Sequence, residues 1–268
     1  MVGTKPRGYA TVEELETHLD VALQDGKDRD LAQLYLRSAE DAIAHATGGR
    51  LFLPVKGPLA EAVTADALTL IMTEVATNLP EGGHLLIDSE VLVYGALTHH
   101  DGKVHVEVLE RGVGGTTAAT HEAGAVGYMV KGLEVSHNGQ SLYPGDFLDL
   151  KAVWVGDDIW TGLTLSYMRS GPRTVRPYQW IQYGSGWEAG VAVWVAAVWG
   201  YAWSVPADIK RATLRIAEEA WLRRGNMTSV VRVEQAPGGA QTIYRDPANV
   251  PKDVASILFG YSRIGLGG

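Results

Sequence analysis

The 268-residue chain predicts an α+β fold: a small antiparallel helical bundle built from both chain ends, with a large, mostly antiparallel β insertion between them. Three observations predict it. Apolar residues recur at three- and four-residue spacing in 31–46 and again in 209–221, the pattern of one buried helix face. From about 68 to 200 the period changes to two, punctuated by turn dipeptides. Each helix alone is marginal in water, so the two apolar faces most simply pack on each other despite about 160 intervening residues. The expected division is 1–60 with 200–268 as the helical core and 61–199 as the β-rich insertion.

The elements follow in order. Thr11-Val12-Glu13-Glu14 is a capping box, in which the Thr hydroxyl and the Glu14 carboxylate each satisfy a free amide, and 11–23 reads as a short helix. Asp25-Gly26 breaks it. Leu31, Leu34, Tyr35, Ser38, Ala39, Ala42, Ile43 and Ala46 then mark an amphipathic helix from about Asp28 to Thr47, stopped by Gly48-Gly49. Strands are predicted at Val91–Tyr94 and Val104–Val108 around a His99-His100-Asp101-Gly102 hairpin, then at 125–130, 147–155, 162–168, 173–183 and 190–199. Gly184-Ser185-Gly186 reads as a loop. Pro206 suits the first position of a helix whose apolar face is Ile209, Ala212, Thr213, Ile216, Ala220 and Trp221, ended by Gly225. Arg223-Arg224 complements that helix's C-terminal dipole. A polar, Gly-rich stretch from Met227 to Ala240 follows, and Pro251 opens a last short helix with Val254, Ile257, Leu258 and Tyr261 on one side.

Composition excludes several function classes. With 46% apolar and 20% charged residues the chain is globular in composition, and no apolar run reaches the roughly 20 residues of a transmembrane helix. The first 30 residues lack an apolar h-region, so no secretory signal is expected. Zero cysteines exclude disulfides, thiolate nucleophiles and sulfur-ligated metals. The net charge of −8 is uneven: residues 1–150 hold 10 Lys+Arg against 22 Asp+Glu (−12), and 151–268 hold 13 against 9 (+4). So acidic a chain is a poor general nucleic-acid binder, although an acidic surface can line a channel through which DNA slides.

Candidate chemistry is sparse. His99, His100, His105, His121 and His137 fall within 39 residues, but none has His-Glu-x-x-His spacing, and strand alternation sends His99 and His100 to opposite faces. They read as surface or turn histidines, and no metal site is expected. No Gly-x-Ser-x-Gly elbow exists for acyl transfer. Asp157-Asp158 and Glu188 lie near tryptophans as a conceivable glycosidase pair, and read instead as solvated turn residues. Gly112-Val113-Gly114-Gly115 lacks the Lys and following helix of a phosphate loop and reads as a turn. All eight tryptophans (Trp154, Trp160, Trp180, Trp187, Trp194, Trp199, Trp203, Trp221) lie after residue 150, as candidates for sugar stacking or, more simply, for burial and subunit seams.

Several blocks resemble a known family. Tyr9-Ala10-Thr11-Val12-Glu13-Glu14-Leu15, Ala39-Glu40-Asp41-Ala42-Ile43 and Thr47-Gly48-Gly49-Arg50-Leu51-Phe52 are similar to the N-terminal half of bacteriophage head-tail connector proteins, also called head completion or portal adaptor proteins. The resemblance resumes at Val198-Trp199-Gly200-Tyr201-Ala202, at Val205 to Ala212 and at Ala220 to Arg224, and it closes with Val250 to Val254 and on through Tyr261-Ser262-Arg263. These blocks span about 110 residues. The chain departs from the family in carrying about 130 residues where a short β segment is usual, and in Thr47-Gly48-Gly49-Arg50 where Thr-Gly-Arg is commoner. Within the insertion, Gly83 to Val91 and Glu110 to His121 look like a β module recurrent in phage tail and neck proteins; Gly112, Gly114 and Gly115 permit turn conformations there, and Thr116 and Thr117 can hydrogen-bond locally.

The resemblance implies a structural virion protein, made in the host cytoplasm and placed at the neck between the capsid portal vertex and the tail. Expected there is a homo-oligomeric ring of about twelve copies closed by heterologous contacts. Its expected partners are the portal protein, a stopper or tail-completion protein below, and genomic dsDNA passing through the lumen without sequence-specific binding; the insertion would contact capsid protein or the next neck ring. No membrane partner, catalytic residue, cofactor or metal is expected. The family's C-terminal segment engages the portal, which maps onto about 254–268, with Val254, Ile257, Leu258, Tyr261 and Arg263 as the contacts and an order that forms on docking. The alternatives are a carbohydrate-binding or glycan-degrading virion protein and a capsid decoration protein.

Overall fold

The computed structural model describes residues 8–23, 26–73, 79–100, 102–135, 139–155, 158–159, 165–169, 177–223, 230–236, 239–244 and 250–262. The fold is α+β, with four helices and fourteen strands among the described residues. They divide into two compact units, Met1–Arg50 with Val205–Gly268, and Leu51–Ser204. No helix among the described residues is long and apolar enough to cross a membrane.

The first unit contains α1 (Val12–Leu19), α2 (Lys27–Ala46), α3 (Ala207–Arg223) and α4 (Lys252–Phe259). The capping box starts α1 as the sequence predicts: the Glu14 amide donates to Thr11 Oγ1 at 3.2 Å, and the Thr11 amide donates to Glu14 Oε2 at 3.0 Å. Asp20 ends that helix in the left-handed region at φ 53°, three residues before the predicted end. Burying the α2 stripe against α3 holds the unit together: Leu36, Ala39, Ala217 and Trp221 share a core with Leu15, and Tyr35 meets Trp221 edge-on at 6.3 Å. On α3 the buried stripe is Ile209, Ala212, Thr213, Ala217 and Trp221, so Ala217 takes the place expected of Ile216 and Ala220. Polar contacts tie the unit together, two of them between the chain ends. The Tyr9 amide donates to buried Glu40 at 2.7 Å, Lys210 meets Glu14 at 2.6 Å, and Arg50 Nη1 donates to the Tyr261 carbonyl at 2.7 Å.

The second unit is a twelve-stranded antiparallel sheet among the described residues. Its strands are β1 (Lys56–Pro58), β2 (Thr69–Thr73), β3 (Gly83–Ile87), β4 (Glu90–His100), β5 (Lys103–Glu110), β6 (Val126–Glu134), β7 (Gly139–Leu142), β8 (Phe147–Val155), β9 (Asp158–Ile159), β10 (Leu165–Arg169), β11 (Tyr178–Trp187) and β12 (Ala192–Trp199). The main path runs β10-β11-β8-β12-β6-β3-β4-β5-β2, with β1 on β6, β7 on β11 and β9 on β8. The His99 to Gly102 hairpin forms, with His100 opposite Lys103. Gly184-Ser185-Gly186 is not a loop. It lies inside β11, where the pairing to β7 shifts between Gln182 and Trp187, and Gly186 at φ 86° absorbs the irregularity without a Cβ penalty.

A sheet strand buried on both faces reads as a continuous apolar run, and β12 is such a strand: Ala-Val-Trp-Val-Ala-Ala-Val-Trp. Val193, Val195, Ala197 and Trp199 join the main core with Leu85, Ile87, Leu92, Tyr94, Val104 and Val106. Trp199 fills its centre and donates its indole N–H to the Met129 carbonyl at 2.7 Å. The opposite face carries a smaller cluster of Leu86, Val91, Val130, Trp154 and Ala196, edged by Val113 and Trp194.

The polar, Gly-rich stretch after α3, to which the sequence assigned no element, is structured. Within the first unit it forms an antiparallel hairpin, β13 (Val230–Ala236) with β14 (Gly239–Tyr244). The β-branched run Val230, Val231 and Val233 favours a strand there.

Candidate functional site

Two linked features of the second unit stand out: a buried polar clamp and the pocket whose wall it fixes. The clamp is centred on Glu90, the first residue of β4. Asp88 at φ 52° makes the tight turn that places Ile87 opposite Glu90, a conformation Asp tolerates better than most residues. The Glu90 side chain is fully buried, so each oxygen needs donors. Oε1 accepts from Arg111 Nε at 2.5 Å and the Gly112 amide at 3.2 Å. Oε2 accepts from Arg111 Nη2 at 2.7 Å and the Ala119 amide at 3.0 Å, and lies 2.8 Å from His121 Nε2. Arg111 spends its other N–H groups on the carbonyls of Thr64 (2.9 Å), Ala67 (3.3 Å) and Ala119 (2.7 Å). His121 Nδ1 faces Asp88 Oδ2 at 2.8 Å, while its backbone pairs in both directions with Val63.

The electrostatics follow from this geometry. Burial alone would raise the Glu90 carboxyl; the hydrogen bonds from Arg111, the Ala119 amide and His121 override it and hold the group at about 2. At neutral pH Glu90 is therefore an anion whose ligands are parts of its own chain. The expectation of surface or turn histidines fails at His121, which is buried because both ring nitrogens find carboxylates there. Among the described residues no group of three or more His, Asp or Glu side chains is arranged to hold a metal ion.

The clamp shapes the loop that follows Arg111. Gly112 has φ 66°, and a Cβ there would lie 2.7 Å from the Ala118 amide nitrogen, so only glycine fits. Thr116 Oγ1 donates to the Val113 carbonyl at 2.7 Å and accepts from the Val91 amide at 3.0 Å, and the Val113 amide donates to the Val91 carbonyl at 2.9 Å. Val113 is thereby fixed above Val91.

Beneath that loop lies a pocket of about 150 Å³, lined by His84, Val91, Val113, Gly114, Val130, Trp154 and Trp194. Register explains the hollow. Trp194 pairs with Trp154 on β8 and with Gly132 on β6, while Ala196 pairs with Ala152 and Val130. Small residues beside two indoles leave space that no side chain fills. A Cβ on Gly132 would meet the Trp194 ring at 2.8 Å, so that indole lies against bare backbone. The His84 and Trp194 rings are 4.8 Å apart. Desolvation, which favours the neutral ring, pulls the His84 imidazole below its usual range and outweighs Glu110, whose charge favours the protonated ring. Trp154 is 3% exposed, and its indole nitrogen is buried without a hydrogen-bond partner among the described residues.

The residues singled out from the sequence are dispersed. On α4, Val254 and Leu258 are buried in the helical unit, Ile257 and the following Tyr261 are half-buried, and Arg263 lies outside the described residues. α4 is a formed helix that packs on α2 and α3, and its largest exposed side chain is Phe259, 82% accessible, which sequence reasoning passed over. Trp154, Trp187, Trp199 and Trp221 are buried, Trp203 is exposed, and Trp160, His137, Asp157 and Arg224 lie outside the described residues. Glu188 is exposed, as expected of a solvated turn residue. Sequence reasoning also missed Glu90, Asp88 and His84; the one available signal was a carboxylate standing at the head of an apolar strand.

No protein-family model matches the chain. No curated protein matches it. Among solved structures, the chain is similar to a chain from the neck of an empty GTA particle computed with C6 symmetry, at 14% identity and a TM-score of 0.46, over 100% of this chain and 96% of that one.

Proposed function

We propose that this chain is a structural protein of the bacteriophage neck, acting without catalysis as one subunit of a head-to-tail adaptor ring that docks under the portal and continues the DNA channel towards the tail. One observation carries the reading. The blocks that resemble head-tail connectors lie at opposite ends of the sequence, yet in the folded chain they bond to one another: Glu14 to Lys210, and Arg50 to the carbonyl of Tyr261. A long β insertion has been accommodated without dissolving that helical unit.

Docking on the portal is assigned to α4 and the residues after it. Val254 and Leu258 anchor the helix from within, and Ile257, Phe259 and Tyr261 offer the apolar contact surface. In a ring, each subunit repeats a heterologous contact with the next, and closure performs the function. The insertion supplies a second surface, for capsid protein or for the next neck component.

The test is to image the neck of purified virions without imposed symmetry and count copies of this chain. A ring of about a dozen subunits beneath the portal supports the reading; hundreds of copies over the shell would make the chain a decoration protein, and none in the particle would discard a virion role. Phe259→Ser, which leaves the buried side of α4 intact, is expected to keep the fold and lose co-sedimentation with purified portal.

A further inference from the structure

We propose that Arg50 is the positioning residue of the docking helix: from the turn after α2 it caps the C-terminus of α4, and it thereby holds Phe259 in the pose that meets the portal. The portal as partner rests on the adaptor reading; the capping contact does not.

α4 lacks the usual means of ending. The last carbonyls of a helix have no intrahelical donor, and they carry the negative end of its dipole, which a nearby cation stabilises. α4 has no basic residue in its last turn, and its C-cap, Gly260, stays right-handed at φ −64°, so no left-handed glycine closes it. The chain tightens instead: the amides of Gly260, Tyr261 and Ser262 donate to the carbonyls of Ile257, Leu258 and Phe259 at 3.1, 2.9 and 3.3 Å. The Tyr261 carbonyl follows that run, and Arg50 Nη1 donates to it at 2.7 Å. The cation that α4 lacks is thus supplied from 211 residues away.

The block Thr47-Gly48-Gly49-Arg50 makes the delivery. Thr47 is buried and returns its hydroxyl to the Ile43 carbonyl at 2.8 Å, and the Gly49 amide donates to the Ala44 carbonyl at 2.7 Å. Gly48 and Gly49, at φ 69° and 76°, turn the chain through the left-handed region. Arg50 leaves this turn only 6% exposed. A buried guanidinium that loses an acceptor is left with its desolvation cost, so this contact is a firm tie. The polar contact near the other end of α4 is weaker in kind, since Asp253 meets Arg215 at 3.5 Å with both side chains exposed. Phe259 is the last residue of α4, two positions before the capped carbonyl. Fixing that turn in advance removes an ordering cost from docking.

Arg50→Met keeps much of the aliphatic stem and deletes the donors. Amide hydrogen exchange on the intact chain reads the first consequence: Ala255 to Ser262 should exchange about 10–100-fold faster, the loss expected of one hydrogen bond to a charged group, with α2 and α3 unchanged. Co-sedimentation with purified portal reads the second, and should weaken several-fold, since a terminal turn is close to fraying even before the tie is cut. Arg50→Lys keeps a cation and a donor on a shorter reach, and should fall between the unaltered chain and Arg50→Met in both readouts. Should Arg50→Met unfold the whole helical unit, Arg50→Lys carries the test. The proposal is overturned by unchanged exchange in α4, by an increase that Arg50→Lys spreads equally over α2 and α3, by equal exchange in the two variants, or by full portal binding from a chain whose α4 has loosened. Failure of the unaltered chain to bind portal counts against the adaptor reading, and exchange then decides the cap by itself.

Discussion

Replacing Arg111 by Met tests the clamp most directly. The substitution keeps the aliphatic volume and deletes a guanidinium whose side chain is 8% exposed, together with two contacts to Glu90 and three to backbone carbonyls. Two routes give its magnitude. Removing one partner of a buried ion pair costs about 3–5 kcal/mol, chiefly because the other charge is stranded. As a second measure, holding Glu90 at about 2 rather than 4.5, by Arg111 together with the Ala119 amide and His121, corresponds, at about 1.4 kcal/mol per unit, to about 3 kcal/mol of stability. The routes agree within their precision, and with a urea dependence of about 2 kcal/mol per M they predict a midpoint lowered by about 1.5–2.5 M. Tryptophan fluorescence during urea unfolding reads it, since Trp187 and Trp199 are buried in this unit. A loss below about 1 kcal/mol would refute the argument that Arg111 compensates a buried charge. The double replacement Glu90→Met with Arg111→Met should recover part of the loss, because it strands nothing.

Further outcomes follow from the same physics. Because the folded pKa of Glu90 is lowered, its stabilisation is fully present above about pH 4.5 and is lost as pH falls from there towards 2; urea midpoints across pH 2–6 should show this slope, flattened in Arg111→Met. Gly112→Ala forces a Cβ against the Ala118 amide at a left-handed φ and should cost about 1–3 kcal/mol, read as a lowered thermal midpoint. Thr11→Ala removes the α1 capping box and should cost about 1 kcal/mol, visible in amide exchange of the first turn. Trp221→Ala empties the centre of the helical unit and should cost about 3–5 kcal/mol, with helical circular dichroism lost before the strand signal.

Elements set by neighbours were legible in the chain. The capping box at Thr11, the α2 and α3 stripes and the hairpin at His99 to Gly102 depend on residues within a turn or two of each other, so their pattern is written locally. The β11 irregularity was misread because Gly-rich composition signals a turn, whereas glycine inside a ladder can instead mark a bulge, and the β13–β14 hairpin was passed over. The candidate site was almost illegible. Glu90 stands 21 residues from Arg111 and 31 from His121, and no spacing rule joins a strand's first carboxylate to the end of the next strand and the loop beyond it. On α4 the helical period correctly grouped Val254 and Leu258, but periodicity says which residues share a face and not whether that face meets the protein's own core or a partner's surface.

The amino-acid sequence by itself determined the fold class, the helical ends, the strand-rich middle and the absence of cysteine chemistry, because these rest on composition and short-range periodicity. Only the tertiary structure decided that Glu90, Arg111 and His121 form one buried knot edged by the exposed Asp88, that small residues on β6, β8 and β12 leave a hollow between two indoles, and that α4 turns Phe259 outward. The physical reason is that charge compensation and cavity shape are properties of residues brought together by strand register, and register is settled by burial of the whole sheet rather than by any local stretch of the chain.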